Sequence, residues 1–454
     1  MIERIKDNIL YFDGCNTVEL AKKYGTPLYV YSENDIVKRC DELKECFLNK
    51  YENTRAAYAS KAFSCMAIYK LMEREGMCLD IVSGGELYTA IKANFPAERI
   101  EFNGNNKLKC EIEQAVDYNI GRIVVDGLNE IDLIEKVCEE KGKKMNILMR
   151  VTPGVKSDSH DYIVTGKKDS KFGIPLDEDV IYPYIKKAIN SKYVNFLGFH
   201  FHVGSQLNDN KSHLAALETM LKLVKDTKEK FNYAVTELNI GGGFGIKYIE
   251  DDKRKPYSYF LEPIMQRIEK FCEEIEIKRP AIVIEPGRSI VGEGGITLYT
   301  VGSIKDIRGV RKYVSVDGGM TDNLRPALYQ ASYDADIANK ASEGKNDKVT
   351  ICGKCCESGD ILIKDIYLPK ANTGDILAVY STGAYGFTMA SNYNKNSIPA
   401  VVLVKDGKDE LIVKRQSYED MIKNELIPES LKKWTTFTLW KNLPDSSFVP
   451  YEME

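Results

Sequence analysis

Apolar and polar positions alternate along this chain in two registers, and the switch between them divides it. Short, nearly continuous apolar runs recur at residues 54–60, 77–83, 99–103, 122–126, 146–151, 196–202, 236–240 and 280–285. Amphipathic segments of helical length lie between them, as at 64–75, 86–94, 129–142, 178–191, 212–230 and 258–276,. Runs without polar alternation read as strands buried on both faces, and their alternation with helices predicts parallel pairing through right-handed crossovers. Eight such units close a (β/α)8 barrel, the α/β architecture whose functional groups gather at the C-terminal ends of the strands.

After about Gly292 the pattern changes. Runs at 296–305, 310–316, 348–352, 375–380 and 398–404 follow with few helical gaps, punctuated by turn signals such as Asp317-Gly318-Gly319 and Asp406-Gly407,. They predict a C-terminal antiparallel β domain over 293–454, with a tail at 415–454 that holds a helical stretch. Pro27-Leu28-Tyr29-Val30-Tyr31 reads as one more strand, so residues 1–33 are expected to join the β domain before the chain enters a barrel spanning 34–292.

Composition narrows the function classes. The 454 residues carry a net charge of −4 with both signs interspersed, which argues against a nucleic-acid surface,. The cluster Lys253-Arg254-Lys255 follows Glu250-Asp251-Asp252 and reads as a solvated loop,. No stretch approaches the roughly 20 apolar residues that span a bilayer. The start, Met1 to Asp7, lacks the apolar core of a signal peptide,. Eleven scattered cysteines suit a reducing cytoplasm better than a disulfide framework,. Cys352-Gly-Lys-Cys355 is a lone C-x-x-C, weak evidence for a metal, and none is expected,.

Chemistry-bearing residues cluster at predicted strand ends. Lys61 ends the first barrel run and Asp80 lies in the second; a lysine there is costly unless chemistry requires it,. His200 and His202 alternate along the sixth run, so both face one side; either ring could stack on a planar cofactor or be a satisfied core histidine,. Gly241-Gly242-Gly243 follows the seventh run and could cradle a phosphate with backbone N–H groups, or simply turn the chain,. Glu285-Pro286-Gly287-Arg288 ends the eighth. Its carboxylate could hold a ring nitrogen and its guanidinium a phosphate or carboxylate, or the two could pair with each other. Ser205 could add a hydroxyl to a phosphate site. An amine, a carboxylate, a stacking ring and an anion nest are together what pyridoxal 5'-phosphate requires.

With these residues in place the chain resembles the barrel-type pyridoxal-phosphate decarboxylases, which share the alanine-racemase fold, and most closely the diaminopimelate decarboxylase family. The resemblance runs over nearly the whole length. Its motifs include Tyr58-Ala59-Ser60-Lys61-Ala62, Asp80-Ile81-Val82-Ser83-Gly84-Gly85-Glu86-Leu87, His200 through Gln206, Asn239 through Gly243, and Glu285 through Arg288. Asp317 through Asp322, Arg325 through Tyr329, Cys356 through Asp360, and Gly383-Ala384-Tyr385 extend it into the β domain.

The resemblance implies that Lys61 carries the cofactor covalently, Glu285 holds its pyridine nitrogen and His202 stacks on its ring. Asp80 belongs to the same surroundings. Ser205, Gly241, Gly242, Gly243, Gly287, Arg288 and Tyr385 hold the phosphate. Arg288, Arg325, Tyr329, Glu357 and Tyr385 bind the substrate, and Cys356 reaches the site from the other subunit of a homodimer to return a proton. Two positions depart from the family pattern: Phe63 where asparagine is common, and Lys354-Cys355 where arginine and histidine are common. Both are expected to alter the pocket wall.

The implied reaction is decarboxylation of meso-2,6-diaminopimelate to L-lysine and CO2, the last step of lysine biosynthesis. A second carboxylate asks for guanidinium at the distal end, where Arg288 and Arg325 map. Simple diamine-forming decarboxylases acting on ornithine, lysine or arginine, D-amino acids included, would want an acid there instead, and Gln330 stands where such an aspartate is expected. A racemase would set arginine rather than Glu285 against the ring nitrogen. A non-catalytic homologue would have let Lys61 or Cys356 decay.

Overall fold

The computed structural model describes residues 5–154 and 170–432. The eight apolar runs form eight parallel strands: β1 (Thr54–Ala59), β2 (Cys78–Ile81), β3 (Ile100–Phe102), β4 (Arg122–Val125), β5 (Met145–Arg150), β6 (Val194–His200), β7 (Glu237–Asn239) and β8 (Ala281–Ile284). They pair in sequence order, and β8 closes onto β1 with Ile282 opposite Thr54. Almost every residue of these strands is buried, which is why they carry no polar alternation,.

The expected connecting helices are present at Met66–Arg74, Gly84–Lys92, Leu128–Lys141, Glu178–Asn190, Lys211–Phe231 and Tyr257–Glu274. Each presents an apolar stripe to the barrel, as with Ile131, Ile134, Val137 and Cys138 on one helix,. Local chemistry sets the ends: the Ser83 hydroxyl accepts from Glu86 N at 3.2 Å, and Gly142 closes another helix in the left-handed region,. β6 is bulged, its pairing with β5 slipping between Phe196 and Gly198,. Gly198 sits at φ +149°, where a Cβ would lie 2.1 Å from the Glu237 carbonyl oxygen. Beyond the bulge, His200 points into the barrel.

The second unit is a mixed sheet with its own apolar cores. The long strand Gly295–Ile307 is its spine. It pairs antiparallel with Arg311–Val316, Ile376–Val379 and Leu28–Ser32. Two pairings are parallel rather than antiparallel: Arg311–Val316 with Asp347–Cys352, and Leu28–Ser32 with Ala400–Lys405. The second arises because Leu28–Ser32 comes from the other side of the barrel and slots between Gly295–Ile307 and Ala400–Lys405.

The sheet unit grips the barrel beside Lys61. Tyr385 N donates to the Ala62 carbonyl at 2.8 Å, and the Thr388 hydroxyl donates to the Lys61 carbonyl at 2.9 Å. Phe63 is fully buried here, stacked on Tyr31 with centroids 4.1 Å apart and edge-on to Phe387 at 5.8 Å. Its place is the contact between the two units, not the pocket wall expected from the sequence. No helix among the described residues is long and apolar enough to cross a membrane.

Candidate active site

The C-terminal ends of the barrel strands and the sheet unit enclose a cavity of about 590 Å³. Lys61, His202, Ser205, Gly243, Glu285, Gly287, Arg288, Arg325, Tyr329 and Tyr385 all line it. Its size falls in the range of small-molecule sites.

The floor is built from acids. Lys61 stands on a single 3-10 turn after β1, and its side chain, 43% accessible, opens into the cavity with Nζ 3.5 Å from Asp80 Oδ2. Burial alone would lower the Lys61 ammonium, but Asp80, Tyr385 and Glu285 outweigh it and raise it above the usual lysine value,. Glu285, just past β8, is pinned through one oxygen. Oε1 accepts from His200 Nε2 at 2.8 Å, Asn239 Nδ2 at 2.9 Å and Asn103 Nδ2 at 3.0 Å. Oε2 is thereby left for a ligand. Burial opposes the Glu285 charge, yet the hydrogen bond and charge of His200, then Lys61, hold its carboxyl well below the usual range.

Asp80, Glu101 and Glu285 bring carboxylate oxygens within 4.8 Å of one another, all buried. Burial, then Glu285 and Asp80, push Glu101 well up, while burial raises Asp80 against the pull of Lys61. The floor thus concentrates its charge on Glu285. His202 lies beside it; burial and then Lys61 hold its imidazole well below the usual histidine range, so the ring is neutral. Its Nδ1 accepts from Gly242 N at 3.2 Å.

The opposite wall is built from cations and phenols. The Ser205 hydroxyl accepts from Arg288 Nη2 at 2.8 Å, and Arg288 Nη1 donates to the Tyr248 hydroxyl. The Arg288 guanidinium also lies 4.7 Å from the Tyr385 ring centroid,. Arg325, on the short helix Arg325–Tyr329, donates to the Tyr333 hydroxyl and sits 4.8 Å from the Tyr248 ring. Glu285 and Arg288 do not pair with each other. Among the described residues neither Arg288 nor Arg325 pairs with a carboxylate, although both are buried. Two buried guanidiniums without counter-charges make a wall that attracts anions.

The glycine run serves two ends. Gly243 lines the cavity at φ +101°, while Gly241 and Gly242 lie behind it. A Cβ on Gly242 would fall 2.1 Å from the Glu285 carbonyl oxygen, so this glycine lets β7 and β8 approach closely enough to place Glu285. Cys356 and Glu357 are not brought in. Both are exposed on the loop between Asp347–Cys352 and Ile361–Leu368 and take no part in the cavity wall. Lys354 is exposed and Cys355 half-buried against Asn396, so that departure from the family pattern also lies off the wall.

Sequence reasoning gave no role to Asn103, Tyr248 or Tyr333, and named Asn239 only as part of a motif. For the asparagines a signal existed: each is a polar residue at the end of an apolar run. The two tyrosines sit in irregular segments with no periodicity to mark them. Residues 155–169 lie outside the described residues; just after them, Phe172 lines the cavity.

Comparison with known proteins agrees with this geometry. Residues 33–292 match the family model for the pyridoxal-dependent decarboxylase, pyridoxal binding domain. Diaminopimelate decarboxylase of Bacillus methanolicus is 50% identical over 407 residues, covering 90% of this chain and 94% of that protein. The Bacillus subtilis (strain 168) enzyme is 48% identical over 417 residues, covering 92% and 95%. The crystal structure of diaminopimelate decarboxylase from M. jannaschii in co-complex with L-lysine superposes with a TM-score of 0.88 at 37% identity, covering 94% of this chain and 98% of that one.

Proposed function

The chain belongs to the diaminopimelate decarboxylase family, and on that premise we propose how its residues carry out the reaction. It is a carboxy-lyase that releases CO2 from meso-2,6-diaminopimelate and leaves L-lysine. A meso compound has one centre of each hand, so an L-lysine product means that CO2 leaves the D-configured carbon.

The cofactor is pyridoxal 5'-phosphate, and the residues present fit it. Lys61 offers an amine at the cavity, Glu285 has an oxygen free of the three donors on Oε1, and Ser205, Gly243 and Arg288 line a wall suited to an anion. When bound, the cofactor supplies an electron sink for the pair released with CO2. Lys61, His202, Ser205, Gly243, Glu285, Gly287, Arg288 and Tyr385 hold it, with Asp80 behind Lys61 and Gly241 and Gly242 behind the wall. Glu285 keeps a proton on the ring nitrogen, since an anion fixed by His200, Asn103 and Asn239 stabilises the cation opposite it. Asp80 orients the Lys61 amine.

Arg288, Arg325, Tyr329 and Tyr385 bind the substrate, the guanidiniums taking its distal carboxylate. Cys356 and Glu357 are exposed outside their own cavity, which supports a homodimer in which each subunit lends this loop to the other. There Cys356 returns a proton to the carbon that lost CO2 and Glu357 meets the substrate's distal ammonium. The eleven thiols are all free, in keeping with a cytoplasmic enzyme,.

The observation that carries the substrate reading is the pair of buried guanidiniums that pair with no carboxylate among the described residues. The test is CO2 release from diaminopimelate, ornithine, lysine and arginine, with diaminopimelate expected to lead. Preference for ornithine by more than about tenfold, ~1.4 kcal/mol in the barrier, would overturn the assignment.

A further inference from the structure

Tyr248 is the point at which three parts of the molecule meet over the cavity. It lies on the segment after β7, which is tied to the segment after β6 by a reciprocal pair: Gln206 Nε2 donates to the Ile246 carbonyl at 2.7 Å and Ile246 N donates to Gln206 Oε1 at 3.1 Å. Tyr248 N donates to Asp252 Oδ2 at 2.9 Å, which fixes the backbone beneath the ring. Its hydroxyl accepts from Arg288, which follows β8. Its ring face receives Arg325 at 4.8 Å, and its edge packs on Tyr333 at 5.3 Å and 87°, both from the sheet unit.

One phenol therefore touches both guanidiniums: its hydroxyl accepts from Arg288, which also lies 5.7 Å from the ring centroid, and its ring receives Arg325 at 4.8 Å. All four of Tyr248, Tyr333, Arg288 and Arg325 are buried. Two like charges brought together without a counter-ion repel, and their separation must be fixed by neutral groups. Phenols are suited to this, because they accept hydrogen bonds and offer a negative ring face without neutralising the cations. A carboxylate in the same place would quench the wall's attraction for an anion.

We propose that Tyr248 is a specificity-determining positioning residue: it sets the spacing of Arg288 and Arg325, and through that spacing the preference for a substrate with a second carboxylate. This rests on the distal-carboxylate reading given above. Tyr248 does not touch the floor residues Lys61 or Glu285 through any hydrogen bond, so its effect belongs to recognition and not to bond breaking.

The test uses the holoenzyme and Tyr248→Phe, which keeps the ring under Arg325 and deletes the acceptor for Arg288. Two ligands are compared: meso-diaminopimelate, and D-lysine as a competitor, which keeps the reacting D-centre and lacks the distal carboxylate. The variant is expected to raise KM for diaminopimelate about ten- to a hundredfold with kcat within about threefold, and to leave the D-lysine inhibition constant within about threefold. Equal weakening toward both ligands, or a fall in kcat with KM unchanged, would overturn the proposal, because either places the phenol outside distal recognition. Wild-type enzyme that binds D-lysine as tightly as diaminopimelate would instead remove the distal-carboxylate reading itself. A wild type that discriminates and a Tyr248→Phe enzyme that discriminates equally well would remove the Tyr248 proposal alone.

Discussion

The floor and the wall of the cavity are opposite solutions to the same problem of burying charge. On the floor, three carboxylates crowd within 4.8 Å, and the charge is gathered onto Glu285 by His200, Asn103 and Asn239 while its neighbours are pushed toward neutrality. On the wall, two guanidiniums that remain charged under all ordinary conditions are held by phenols and, at Arg288, a serine,. An acid can shed its charge and so can be packed against other acids; arginine cannot, and must be spaced. The floor is fitted to hold cationic nitrogen and the wall to hold carboxylate or phosphate. A molecule with an amine at the reacting end and a second carboxylate at the other is the natural bridge.

The contrast can be broken from the floor first. Lys61→Ala removes the group proposed to attach the cofactor, and turnover is expected to fall by about four orders of magnitude or more, over ~5 kcal/mol of barrier, with the fold retained by circular dichroism. Mixing this variant with Cys356→Ala then examines the element that belongs to neither region. Partial activity returning on mixing supports a loop lent between subunits; none returning supports sites completed within one chain. Glu285→Gln keeps the shape and removes the charge, and kcat should drop about a hundredfold, ~2.7 kcal/mol, with an effect under about threefold speaking against its role.

The wall should respond differently. Arg325→Met is expected to raise KM for diaminopimelate about ten- to a hundredfold while kcat changes less, as measured by steady-state CO2 release. Equal losses in kcat from Glu285→Gln and Arg325→Met would erase the division of labour. The smallest effect is on stability against pH. The folded carboxyl of Glu285 titrates well below the 4.5 usual for glutamate. Its contribution is therefore complete above that value and is lost as pH falls through the lower folded pKa. Glu285→Gln should flatten the acid limb of a denaturation series below about pH 4.5,.

Much of this was legible in the chain. The barrel strands were visible because burial on both faces leaves an unbroken apolar run, and Lys61, His202 and Glu285 were visible because each interrupts such a run at its end. The alternation of His200 and His202 puts both rings on one side of the run, and in the structure His200 meets Glu285 while His202 lines the cavity. The helix Lys109–Tyr118 gave a weaker pattern, and the edge strand Lys408–Val413 gave almost none, since few of its side chains are covered. Phe63 was expected in the pocket wall because it lies two residues from Lys61; the chain turns between them and sends it to the contact with Tyr31. Tyr248 and Tyr333 could not be found, because what marks them is a pair of guanidiniums brought from distant segments.

The central assertion is that the Lys61 amine, facing Glu285 across the cavity floor, is the cofactor's attachment point. Borohydride reduction of enzyme loaded with pyridoxal 5'-phosphate, followed by peptide mass spectrometry, tests it directly. The account predicts the reduced cofactor's mass on the peptide containing Lys61; the label on another lysine, with Lys61 unmodified, would contradict it.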